Sequence, residues 1–133
     1  MSELASIHSQ LRLGHPLMDA THDEFWAHLH AAAGASGDEF SALFNALLAH
    51  TQQHFAQEEH WMAQSQYTAY KDHKAEHDHV LGELTQLYSR VIAGSPKLAK
   101  AFIQETLPAK FNLHLATRDA ALALHLTQPL IEN

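Results

Sequence analysis

The sequence predicts an all-α protein: an antiparallel up-down four-helix bundle with an N-terminal arm and a proline-interrupted last helix. Three observations carry that prediction. Hydrophobic residues make up 46% of the 133-residue chain, Ala and Leu are frequent, and β-branched residues are few, a mixture that favours helices over strands. Apolar residues recur at helical spacing in four stretches, and most of the five glycines and four prolines fall between those stretches. The connections left over are short, which sets neighbouring helices antiparallel. The length suits one domain, residues 1–133.

Residues 1–15 show no clean period and read as the arm, with Leu4, Ile7, Leu11 and Leu13 able to pack on the bundle. Pro16 suits a first helical position, where a missing N–H costs nothing. From there a first helix runs to about Ala33, with Met18, His22, Phe25, Trp26 and Leu29 along one stripe, and Gly34 to Gly37 stop it. Asp38 or Ser36 can cap the second helix, which continues to about Gln64 with Leu43, Leu47, His54, Glu58 and Met62 on one broad face. A turn at Ser65 and Gln66 leads into the third, about Tyr67 to Ala93, where Tyr70, His73, His77, Leu81, Leu84, Tyr88 and Val91 keep helical spacing. Gly94 closes it, and Ser95-Pro96 reads as an N-cap followed by a first-turn proline. The last helical region reaches about Leu126, with Leu107, Phe111, His114, Leu115, Leu122 and Leu126 as its apolar face. Pro108 lies inside it and predicts a kink or a break, such as a short helix over 96–106 followed by the main one.

Composition excludes several functions. Net charge is −7 and Lys plus Arg total eight, so no basic stripe is available for nucleic acid. Cysteine is absent, which removes disulfides, thiolate catalysis and iron–sulfur ligation. No run approaches ~20 apolar residues, and the opening residues lack an apolar stretch of signal-peptide length, so a cytoplasmic protein without a membrane span is expected.

Thirteen histidines are the anomaly, and their positions decide what they mean. His54 and Glu58 are four apart, as are His73 and His77, and four residues advance an α-helix by about 400°, so each pair projects from one face. Counted from the turn near residue 65, Glu58 lies seven residues back and His73 eight forward, while His54 lies eleven back and His77 twelve forward. The two pairs sit at matching heights. From the turn near residue 94, His77 is 17 back and His114 is 20 forward, within one helical turn. From the turn near residue 35, His22 is 13 back and His54 is 19 forward, a mismatch of about 9 Å that an irregular loop would have to absorb. All four helices can therefore send an imidazole to one layer, with Glu58 beside them: a metal centre. Asp119 is less well placed. Five residues rotate an α-helix by about 500°, leaving Asp119 about 140° from His114, so it is a candidate only.

The full set, His22, then His54 and Glu58, then His73 and His77, then His114 and Asp119, resembles the ligand signature of the hemerythrins. Its surroundings are similar to the bacterial members: Asp19-Ala20-Thr21-His22 resembles their first-helix box, and Thr51-Gln52-Gln53-His54-Phe55-Ala56-Gln57-Glu58-Glu59 with Met62 their second. The resemblance covers nearly the whole chain. It implies two Fe ions in an oxo- or hydroxo-bridged non-haem di-iron centre with O2 as ligand. His73, His77 and His114 would hold one iron, His22 and His54 the other, and Glu58 and Asp119 would bridge them. Two positions depart from the bacterial pattern: Lys110 stands where a Trp is common and His50 where a Tyr is frequent.

His50, one helical turn before His54, is the candidate to support the site from behind, and His8, His15, His28, His30, His60, His79 and His125 read as surface groups. Glu59, Glu76 and Asp78 read as solvated charges, and Phe25, Trp26, Phe55 and Trp61 as core. The leading functional expectation is a protein that binds O2 reversibly for storage, delivery or sensing, with no catalytic residue. The alternative is a di-iron enzyme such as a peroxidase, an NO-handling protein or an iron-donating repair protein. A metal-free histidine-rich interaction bundle is a third class. One Glu-x-x-His alone, at Glu76 and His79, disfavours the ferritin-like arrangement, which needs two.

Overall fold

The computed structural model describes residues 11–128, so the readings of Leu4, Ile7 and His8 lie outside the described residues. Helix α1, Pro16–Ala33, begins where the proline predicts. Its cap is His15, whose extended backbone turns Nδ1 to accept the Met18 N–H at 3.1 Å, so His15 has a structural task that the surface reading missed. Helix α2, Asp38–Gln64, starts from Gly37 in the left-handed region (φ 59), with no side-chain cap from Asp38 or Ser36.

Helices α2 and α3 (Tyr70–Ile92) end in the same paired hydrogen bonds. After α2, the N–H groups of Tyr67 and Gln66 reach the carbonyls of Met62 and Ala63 at 3.0 and 3.3 Å; after α3, those of Ser95 and Gly94 reach Arg90 and Val91 at 2.8 and 3.0 Å. Both are Schellman closures, which require a left-handed residue just past the helix. Gly94 meets that requirement at φ 92, and Gln66 at φ 55. The longer turn after Gln66 is why α3 starts at Tyr70 rather than at Tyr67.

The fourth rod is segmented around Pro108. Three α segments, α4 (Lys97–Ala101), α5 (Leu107–His114) and α6 (Ala120–Thr127), are joined by π-helical segments at Phe102–Thr106 and Leu115–Asp119. Helical backbone angles persist at every junction, so the rod does not break. The first π segment supplies the reason. The Leu107 N–H pairs with Phe102 O, five residues back, and Pro108 falls in the opening turn of α5, where no N–H is demanded. Pro96, rather than Ser95, occupies the cap position ahead of α4, and no side chain caps it.

Successive rods pack side by side, and the first π segment returns to α1, closing the bundle. A large apolar cluster including Phe40, Phe44, Leu47, Leu84, Val91, Ile103 and Leu107 fills the end near the 34–37 and 93–96 turns. A small one, Met18, Met62, Leu122 and Ala123, fills the other end. Leu11 and Leu13 pack on this framework as the arm reading expects. Among the described residues no helix is long and apolar enough to cross a membrane.

Candidate metal centre

Between the two apolar clusters lies a buried polar layer. His22 of α1, His54 and Glu58 of α2, His73 and His77 of α3, and His114 and Asp119 of the fourth rod are all at most 6% exposed. The 9 Å mismatch between His22 and His54 has closed to a ring separation of 5.0 Å. Side chains on a helix lean toward their own N-terminus. On antiparallel α1 and α2 this carries His22 away from the connecting turn and His54 toward it, so the two leanings add.

The second π segment decides the position of Asp119. Its turns close five residues apart rather than four, so His114 and Asp119 at its two ends come onto one side of the rod. His114 Nε2 and Asp119 Oδ1 are 3.0 Å apart. The α-helical count that left them about 140° apart used the wrong period for these five residues.

Each carboxylate divides its two oxygens between two sets of imidazoles. Glu58 Oε1 lies 3.2 Å from His73 Nε2 and 3.1 Å from His77 Nε2, while its Oε2 lies 2.7 Å from His54 Nε2 and 3.5 Å from His22 Nε2. Asp119 Oδ1 faces His114 at 3.0 Å and His73 at 3.1 Å, and its Oδ2 faces His22 at 3.1 Å. Two overlapping donor groups result, one of Glu58, His73, His77, His114 and Asp119, the other of His22, His54, Glu58 and Asp119, each able to hold a cation.

These residues fit metal ions better than they fit one another. Nε2 of His22, His77 and His114 and both oxygens of Asp119 are buried without a hydrogen-bond partner, although acid or imidazole atoms stand 3.0–3.5 Å away. Their lone pairs converge on common points instead of aligning as donor and acceptor. Unpaired buried polar atoms are costly, and a divalent cation at each point would satisfy them.

Electrostatics give the metal-free layer an appetite for positive charge. Burial disfavours the imidazolium of His22, but Asp119 and Glu58 outweigh it and raise its pKa to about 9; His73 is raised to about 9 by the same balance. Burial likewise opposes ionisation of Glu58 and Asp119, yet the surrounding histidines hold both carboxyls below their ordinary range. A cation bound in this layer would compete with protons for these imidazoles, so metal binding should release protons.

Two further carboxylates were misread as solvated. His77 Nδ1–H donates to Glu59 Oε2 at 3.0 Å, and His114 Nδ1–H to Glu76 Oε1 at 3.0 Å, with Arg118 Nε donating to the other Glu76 oxygen. The signal was available: an imidazole whose Nε2 faces inward needs an acceptor for its outer N–H, and Glu59 and Glu76 adjoin Glu58 and His77 in sequence. Asp78 does pair at the surface, with Lys74 at 3.0 Å.

His50 sits beside the layer without bonding to it. Its ring is 5.9 Å from that of His54 and 4.9 Å from that of His28, and its Nε2 donates to Thr21 O at 3.3 Å. His125 contacts Ser65, while His79 lies exposed near Glu83. Aromatic rings seal the layer toward the large cluster. Phe55 lies flat on His77 at 3.8 Å, and Phe111 stacks on Phe25 at 3.8 Å with its edge toward His22 and His54. Phe25, Trp26 and Phe55 are core as expected, and Trp61 is half-buried beside His15. Lys110 points away from the layer to Glu83 at 2.8 Å, leaving Phe111 as the inward aromatic.

Comparison with known proteins identifies the family. Residues 13–126 match the family model of the hemerythrin HHE cation binding domain. A bacteriohemerythrin from Ralstonia nicotianae is 34% identical over 118 residues, which cover 89% of this chain and 85% of the relative. No solved structure matches. With four rods, a buried His/Glu/Asp layer and a family match spanning nearly all of the bundle, the chain belongs to the hemerythrin family.

Proposed function

We propose that this protein holds a non-haem di-iron centre and binds O2 reversibly, for storage, delivery or sensing, as one domain. His73, His77 and His114 would hold one iron and His22 and His54 the other, with Glu58 and Asp119 shared between them. The observation that carries this reading is the division of each carboxylate's oxygens between the two imidazole sets. A pair of irons bound there would supply reversible O2 binding, each metal lending one electron. The chain's own share is to hold, neutralise and dry. Five imidazoles fix the positions, and two carboxylates compensate cation charge that would be prohibitive in an apolar layer. Phe25, Phe55 and Phe111 keep water from the side of His22 and His54, where protons would end reversibility.

The same surroundings favour a carrier over an enzyme. The side chain best placed for proton transfer near His54 is His50; its pKa is lowered by burial and its Nε2 is engaged with Thr21. Two irons per chain by metal analysis, and an aerobic charge-transfer spectrum that bleaches under vacuum and returns with air, are the expected results. Rapid, irreversible oxidation would move the assignment to the di-iron enzyme class. His77→Ala should forfeit one iron, and retention of both would remove His77 from the set.

A further inference from the structure

The two donor groups differ in what stands behind their imidazoles. In the five-donor group, the outer nitrogens of His77 and His114 each donate to a carboxylate, Glu59 and Glu76, at 3.0 Å. Glu76 is itself gripped by Arg118 at the mouth of a groove of about 580 Å³ between α3 and the fourth rod, with Leu113, Thr117 and Lys110 on its walls. The outer nitrogens of His73 in the five-donor group and of His54 in the four-donor group are both buried without a partner, and among the described residues no acid contacts the outer nitrogen of His22 or His54, so the acid-backed imidazoles belong to the five-donor group. A carboxylate behind an imidazole fixes its ring and tautomer and makes the inner nitrogen a stronger donor.

We infer that the two metal positions are unequal: the five-donor position fills first and binds more tightly, and Glu76, held by Arg118, is the positioning residue that sets this preference through His114. The inference rests on the di-iron reading above. Three contributions point the same way. The favoured position has one more donor, two of its imidazoles are backed by acids, and one of those acids, Glu76, lines a groove open to solvent, where it is 40% exposed. Aromatic rings line both positions, Phe55 on His77 and Phe111 beside His22 and His54, so they do not set the preference.

Anaerobic titration of metal-free protein with Co(II), followed by its visible ligand-field bands, tests this. The parent should fill in two resolved steps. Glu76→Gln keeps an acceptor oxygen but removes the charge, and should weaken the first step about tenfold and shift its bands; Glu76→Ala should weaken it about a hundredfold. The second step should not move. Glu83→Gln, which removes a carboxylate on the same side of the bundle that among the described residues pairs with Lys110 and His79, should change neither step. Arg118→Gln provides an independent variant should Glu76→Ala fail to fold, and it should weaken the first step less than Glu76→Gln does. A first step unchanged in Glu76→Gln and Arg118→Gln, or a second step weakened in its place, overturns the role of Glu76. A single unresolved step in the parent overturns the inequality. No binding of Co(II) by the parent would remove the di-iron reading itself, an outcome distinct from the other two.

Discussion

Helix α2 and the end of the fourth rod each deliver an imidazole and a carboxylate to the same layer, by different geometry. His54 and Glu58 are four residues apart on an uninterrupted α-helix, and their Nε2 and Oε2 atoms meet at 2.7 Å. His114 and Asp119 are five apart, and they meet at 3.0 Å only because the residues between them form a π turn. The regular helix therefore writes its donor pair into the sequence as a four-residue spacing. The fourth rod hides its pair behind a local change of period, a device found often at functional sites.

The largest effect should come from giving α2 the spacing of the fourth rod. One alanine inserted after Gln57 turns Glu58 by about 100° out of the layer, with Met62 and the closing turn carried along. Loss of both irons is expected, measured as metal per chain after anaerobic reconstitution and dialysis. If the inserted chain still bound two irons, α2 would have bulged to accommodate it, and the contrast between regular and wide helix would lose its force.

Next in size is a change on the fourth rod itself. Phe111→Ala removes a ring at 2% exposure that fills the space between Phe25 and the imidazoles of His22 and His54. A buried Phe→Ala change costs about 3–5 kcal/mol, readable from urea unfolding. It should also admit water beside His22 and His54 and, on the proposed function, speed irreversible oxidation by air. Destabilisation without faster oxidation would assign Phe111 to packing alone.

Smaller still is the reverse operation on the π turn. Deleting exposed Ala116 leaves His114 and Asp119 four apart, the spacing at which a plain α-helix puts both on one face. Metal content should stay at two irons per chain, with stability changed by about 1 kcal/mol. Loss of metal would mean that the width of the π turn, rather than the facing it produces, is what the layer requires.

This contrast also explains how far the sequence could be read. Pro16, the 34–37 turn and Gly94 punctuate the chain strongly, and the bounds of α1 and α2 follow from them. The imidazoles of α2 and α3 were found because one period and a count from the shared turn place them. Asp119 followed from family resemblance and not from geometry, since no single residue between Leu115 and Asp119 announces a π turn. Pro108 marks a change of segment in the rod, but nothing in the sequence announces that a π segment just ahead of it carries helical backbone through. Glu59 and Glu76 were legible in principle, but charged residues at helix edges are usually solvated, and only the neighbouring rods turn these two into acceptors.

The smallest effect concerns how α2 and α3 end, a case where one backbone geometry is built with two different residues. Gly94 takes φ 92 without a Cβ to clash, and Gln66 takes φ 55 with one. A left-handed L-residue costs roughly 1–2 kcal/mol, while glycine gives back part of that through the freedom it loses on folding, roughly 0.5–1 kcal/mol. Gln66→Gly should therefore stabilise the protein by about 0.5 kcal/mol, seen as a small rise in urea midpoint at unchanged slope. Iron content should not change, because the backbone bonds from Tyr67 to Met62 and from Gln66 to Ala63 persist and the depth of Glu58 and His73 below the turn is set by them. A fall in stability would show that the Gln66 side chain holds the turn through contacts worth more than the strain. A loss of iron would show that the closing turn of α2 tunes the height of the donor layer as well as ending the helix.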